Sequence, residues 1–116
     1  MRRLRVVLRE EAIRDLEDIY DFIVDRGGGP TIALNYIRRI RRRCVRIGDA
    51  PRSGVSCDDL RQGLRLMAFE RRAVIAYLID ADTVRITNVF YGGRDIEAIY
   101  RGRDPTADEH DDQSGA

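Results

Sequence analysis

The chain has 116 residues, the commonest size for a single domain, with 43% hydrophobic residues and a formal net charge of +1. That length leaves no room for a second core, and a core of this size needs neither disulfides nor a structural metal. Cys44 and Cys57 are the only cysteines, with no CxxC spacing and a single histidine, His110, so neither a zinc site nor a disulfide framework is expected. The apolar run before Glu10 is too short for a signal peptide, and nothing later approaches the ~20 apolar residues of a membrane span. The expectation is a cytoplasmic α+β domain that grips other macromolecules, with no membrane, cofactor or metal.

Residues 3–8 alternate, with Leu4, Val6 and Leu8 on one face and Arg3, Arg5 and Val7 on the other, which predicts a first strand. From Glu10 the period changes. Ala12, Leu16, Ile19, Tyr20 and Ile23 draw one stripe along a helix, which Gly27, Gly28 and Gly29 end. Pro30 suits the first turn of a second helix, whose stripe is Ala33, Tyr36, Ile37, Ile40, Cys44 and Ile47. A loop is expected from Ala50 to Gly63. Three strand-like runs follow, Leu64 to Phe69, Ala73 to Ile79 and Val84 to Tyr91, with connections short enough to make neighbours antiparallel. A short helix near Arg94 to Tyr100 completes a domain over residues 1–103, and an acidic tail from Asp104 to Ala116 is expected to be disordered. The whole reads as an N-terminal strand and a helical hairpin packed on a twisted antiparallel sheet of about four strands.

Charge is unevenly placed. Glu10 to Asp25 holds seven acids and one arginine, net −6, whereas Pro30 to Asp49 holds six arginines and one acid, net +5. All 21 basic residues are arginine, which suits bidentate contacts to carboxylate or phosphate but also follows from genome composition. In an antiparallel hairpin the two stretches lie side by side and can partly neutralise each other. The pairs Arg38/Arg42, Arg39/Arg43 and Arg42/Arg46 nevertheless set like charges one turn apart, each costing roughly 0.2–0.5 kcal/mol. An external anion, nucleic-acid phosphate or an acidic protein helix, would relieve them; the acidic tail is a further candidate.

The ordered set Ala12, Asp15, Leu16, Ile19, Ile23, Gly27, Ala33 and Ile37, then Gly63-Leu64-Arg65, Val74-Ile75-Ala76-Tyr77 and Gly92-Gly93-Arg94-Asp95, resembles the RelE/ParE family of bacterial toxins. The resemblance runs from about Leu4 to Arg101. It implies the toxin of a two-gene toxin–antitoxin pair, with a cognate antitoxin that wraps and silences it. RelE-like members cut messenger RNA on the ribosome; ParE-like members are not nucleases and poison DNA gyrase.

Metal-independent RNA cleavage needs groups to move two protons and cations to stabilise a pentavalent phosphate. The resemblance places Arg65, Arg94 and Tyr100 at positions such a site would use, but puts Met67 and Val74 where two further cations are expected. These departures favour a ParE-like, gyrase-directed toxin without catalytic residues. A ribosome-dependent messenger-RNA endonuclease using Arg65, Arg94 and Tyr100 is the alternative. The antitoxin is expected on the apolar surface around Tyr20, Ile23 and Tyr36, with its acids meeting Arg38, Arg39 or Arg42.

Overall fold

A computed structural model describes residues 3–102; the tail expected from Asp104 lies outside them. Strand β1 (Arg5–Leu8) leads into helix α1 (Glu10–Asp25), followed by α2 (Gly29–Ile47). A two-residue strand β2 (Val55–Ser56), then β3 (Arg65–Phe69), β4 (Ala73–Asp80), β5 (Thr83–Tyr91) and a short helix α3 (Ile96–Arg101) complete the order.

Local chemistry explains the helix ends. Glu10 and Glu11 occupy the first turn of α1, where the helix dipole favours acids, and Arg46 occupies the last turn of α2, where it favours cations. The reversal between them uses Gly27 and Gly29 at positive φ, and a side chain on Gly28 would collide with Ile23. At α3 the Asp95 carboxylate accepts the Ala98 N–H at 3.0 Å, capping a helix too short to hold itself.

The sheet has five strands in the order β1-β5-β4-β3-β2. Strands β3 to β5 are antiparallel as expected, and β2, within the stretch expected to be loop, adds an antiparallel edge on β3, whereas β1 joins β5 in parallel, with Arg5 opposite Thr83 and Leu8 opposite Ile86. Parallel neighbours need a long crossover, and here everything from α1 to β4 supplies it. The β4–β5 register shifts between Ala76 and Tyr77, so Ala76 faces Asn88 while Tyr77 faces Ile86 and Thr87 is the extra residue.

Each face of the sheet carries a core. The hairpin covers one face, where Ala12, Leu16, Ile19, Tyr36, Ile40, Cys44 and Ile47 pack on Ile75, Tyr77, Val84, Ile86 and Val89. On the opposite face α3 and the 57–63 loop enclose Leu64, Ala76, Phe90 and Tyr100. The bulge at Thr87 lets both Ile86 and Val89 meet the hairpin, because it resets the two-residue alternation between them. Burial holds the Cys44 thiol up at about 11, consistent with a side chain that packs rather than reacts.

Candidate functional site

The solvent side of the helical hairpin departs most from an ordinary polar surface. Asp15 and Phe22 turn one flank of α1 to β5, and Arg39 and Arg43 turn one flank of α2 to β3 and its turn. By helical spacing Ile13, Tyr20 and Val24 recur on the other flank of α1 and Leu34, Ile37 and Val45 on the other flank of α2, the sides on which the helices meet. Ile13 and Leu34 are each 41% exposed and Val45 is 56% exposed, so an apolar seam reaches solvent between the two helices. Glu17 and Asp21 flank it on the α1 side, Arg38 and Arg42 on the α2 side, all exposed.

The expected neutralisation across the hairpin does not take the form of ion pairs. Among the described residues the α1 arginine Arg14 bonds its own helix at Glu10 (2.7 Å), and the α2 arginine Arg39 bonds Glu70 in the β3–β4 turn. Arg43 turns to the Met67 sulfur at 3.2 Å. No ion pair joins α1 to α2 among the described residues, and Arg38, Arg41, Arg42 and Arg46 have no carboxylate partner there. The cause is geometric: the helix flanks that touch carry the apolar seam, and the charges project outward from either side of it.

A second feature lies where α1 ends and α2 begins. Tyr36 packs between Phe69 (5.9 Å between ring centroids) and Tyr91 (5.7 Å), and Tyr91 in turn meets the exposed Phe22 at 5.7 Å. Arg26 lies over Phe22 and Arg39 over Tyr36. Both Arg39 nitrogens Nε and Nη2 donate to Glu70 at 2.9 Å, a bidentate pair that holds the Glu70 carboxyl below the usual carboxylate range. Burial, reinforced by Tyr91 and Glu70, pushes Tyr36 up to about 12, and its hydroxyl has no hydrogen-bond partner.

The six residues expected to meet an antitoxin therefore divide. Tyr20 lies half-buried on the seam flank of α1, Ile23 packs against the core, and Arg38 and Arg42 are exposed on α2. Tyr36 is 8% exposed and points to the sheet, and Arg39 stands beside it on the β3 side of α2. Residues absent from that set, namely Ile13, Phe22, Leu34 and Val45, supply much of the exposed apolar surface. Their signal was available: each is an apolar residue standing off the core stripe of an otherwise charged helix.

The three residues of the alternative nuclease reading are not gathered into one site. Arg65 is half-buried, and its Nη1 donates to the carbonyls of Gly54 (2.8 Å) and Arg52 (3.1 Å), pinning the loop before β3. Arg65 faces Tyr77 in a row that continues to Ile86, whereas Arg94 follows the far end of β5; five residues of strand, ~17 Å, already separate Ile86 from Tyr91. Arg94 lies over the Phe90 ring, and Tyr100 packs edge-on against Phe90 with 5% of its surface exposed. Tyr100 thus packs on the face opposite the hairpin, not on the hairpin itself. Met67 and Val74 also point to opposite faces of the sheet, into the two separate cores.

Among the described residues no group of three or more His, Cys, Asp or Glu side chains could hold a metal ion, and no helix is long and apolar enough to cross a membrane.

The comparisons with known proteins agree with this architecture. Residues 6–96 match the family described as the ParE toxin of the type II toxin–antitoxin system, parDE. Two relatives, each named Toxin ParE1, from Mycobacterium tuberculosis strains CDC 1551 / Oshkosh and ATCC 25618 / H37Rv, are 27% identical over 93 residues, which span 80% of this chain and 94% of theirs. A solved structure titled "Chromosomal ParDE TA system from P. aeruginosa" shares the fold, with a TM-score of 0.68 and 20% identity over 77% of this chain and 96% of its own. With residues 6–96, most of its length, matched by the family, the chain belongs to the ParE toxins of type II toxin–antitoxin systems.

Proposed function

We propose that this ParE toxin inhibits DNA gyrase in the cytoplasm and is neutralised by a cognate antitoxin that lies along the helical hairpin. The observation that carries the choice of target is the separation of Arg65, tied to loop carbonyls, from Arg94 and Tyr100, which both pack on the Phe90 ring at the far end of the sheet, Tyr100 with its ring buried. Phosphoryl transfer depends on cations preorganised around one phosphate, and losing a single such donor costs ~10²-fold or more in rate. Arrest by a binding event needs no such convergence, and a tightly bound toxin can trap a partner without catalytic residues. The domain over residues 1–103 would carry this activity.

For the antitoxin, the supporting features are the apolar seam around Tyr20 and Ile23 and the carboxylate-free arginines Arg38 and Arg42, which suit an amphipathic helix with acids on its margin. Arg39 and Tyr36 would form the adjoining edge of the footprint.

Two experiments test the proposal. Titration of the toxin with the product of its neighbouring antitoxin gene, by calorimetry, should give tight binding that weakens at least tenfold in the Arg38→Ala, Arg42→Ala double variant; unchanged affinity would remove this surface from the interface. Sequencing of transcript ends after toxin induction should show no codon-spaced cuts. Cuts that vanish in Arg94→Ala or Tyr100→Phe would establish the endonuclease instead.

A further inference from the structure

The hairpin is charged so that it complements itself. The exposed flank of α1 carries Glu17 and Asp21, that of α2 carries Arg38 and Arg42, and the seam that includes Leu34 and Val45 runs between them. None of these four charges has an ion-pair partner among the described residues. A nucleic acid laid on the arginines would also meet the acids one helix away, and like-charge proximity opposes that occupant. A surface with both signs on opposite sides of an apolar strip fits a second copy of itself.

We infer that, without its antitoxin, the chain forms a two-fold dimer through this face, a four-helix bundle in which α1 of each copy lies on α2 of the other. The charge pattern selects the axis. A two-fold running along the seam, parallel to the helices, carries α1 over the partner copy's α2 and so acid over arginine. A two-fold in the same plane but across the helices would lay α1 on α1 and acid on acid. Because the first operation preserves height along the bundle, Glu17 of one copy arrives level with Arg38 of the other, with Arg42 one turn further on.

The size of the face sets how strong the dimer is. Helices of 16 and 19 residues are roughly 24 and 28 Å long and, side by side, about 20 Å wide, so each copy offers on the order of 500 Å². A total near 1,000 Å² is the lower limit for a specific interface, which makes the dimer dissociable and salt-sensitive rather than permanent. The same face includes Tyr20, Arg38 and Arg42, so self-association and antitoxin binding exclude each other. The inference concerns the chain alone and does not depend on what the toxin inhibits.

Analytical ultracentrifugation of the purified full-length chain, without antitoxin, tests it from about 1 to 100 µM at low and high salt. The expected result is a monomer–dimer equilibrium whose dissociation constant rises several-fold between 0.05 and 0.5 M salt, and rises at least tenfold in Val45→Glu. Two complementary variants give the decisive arm: Arg38→Glu with Arg42→Glu makes these four positions all acidic, and Glu17→Arg with Asp21→Arg makes them all basic. Each alone should sediment as a monomer, and an equimolar mixture should form a heterodimer, a gain that misfolding cannot mimic. Far-ultraviolet circular dichroism checks each variant's fold. The proposal is overturned by a wild-type chain that stays monomeric at 100 µM and low salt, by a dimer indifferent to all these substitutions, or by a monomer that binds duplex DNA through Arg38 and Arg42.

Discussion

The Asp15 carboxylate of α1 accepts the backbone N–H of Val89 at 2.8 Å, two residues past the bulge at Thr87. The same oxygen accepts the Asn88 side-chain amide at 3.2 Å, so one acid fastens the helical hairpin to the irregular part of β5. Burial raises the Asp15 carboxyl above its usual range, against the opposing pull of those two hydrogen bonds.

Replacing this acceptor should therefore loosen the hairpin. Asp15→Ala leaves a partly buried N–H unsatisfied and should cost about 1–3 kcal/mol in urea unfolding, while Asp15→Asn, which retains an acceptor oxygen, should cost less. The pH dependence has a defined sign. Because the folded-state value lies above the unfolded one, the proton taken up by Asp15 stabilises the fold at acid pH, and that contribution is lost as pH rises through the folded value. The advantage of the wild-type chain over Asp15→Asn should shrink from pH 4 to pH 7; an advantage that grows would mean that the carboxylate, not the acid, is the favoured form.

Tyr77 should be the most costly hydroxyl to remove. It is fully buried, donates to the Pro51 carbonyl at 2.7 Å and accepts the Gly54 N–H at 2.9 Å, tying the long loop to β4. Tyr77→Phe orphans both backbone groups and should lose about 1–3 kcal/mol. Gly54→Ala would drive its methyl into the same hydroxyl. Hydrogen exchange should show faster exchange at Gly54 in Tyr77→Phe, and unchanged protection there would refute the anchoring role.

Tyr36 should behave oppositely. Its hydroxyl is buried without a partner, so Tyr36→Phe removes a desolvated polar group while keeping the ring contacts to Phe69 and Tyr91. Thermal unfolding should be unchanged or shifted upward, by up to about 1 kcal/mol; a clear loss of stability would mean that the hydroxyl has a structural partner.

The β3–β4 turn stores backbone strain. Glu70 and Arg71 hold φ of 48° and 69°, and neither is glycine. Arg71→Gly should gain up to about 1 kcal/mol by relieving one of them, measurable as a higher urea midpoint at constant slope. Glu70 is a poorer position to change because the Arg39 fork depends on it.

Much of this fold is legible in the residues. The stripe Ala12, Leu16, Ile19 and Ile23 and the stripe Ala33, Tyr36, Ile40, Cys44 and Ile47 are the faces that pack on the sheet, because helical periodicity and a single burial direction coincide there. Strand β2 was not legible: Val55 and Ser56 are both exposed, and a two-residue edge strand has no alternation to detect. The parallel pairing of β1 was hidden for a different reason, since it is fixed only by the distant partner Thr83–Ile86. At the candidate site, the charge polarity of the hairpin could be counted, but its lack of α1–α2 ion pairs depends on which helix flanks touch. Arg65, grouped by sequence with Arg94 and Tyr100, instead spends two hydrogen bonds on its own loop.

The proposed action of this toxin is inhibition of gyrase by binding. The most direct measurement is a supercoiling assay with purified gyrase, relaxed plasmid and increasing amounts of the chain. The expected result is dose-dependent loss of supercoiling or accumulation of cleaved plasmid, prevented by an equimolar antitoxin added beforehand. Full supercoiling at a large molar excess of a folded, growth-arresting toxin would contradict it.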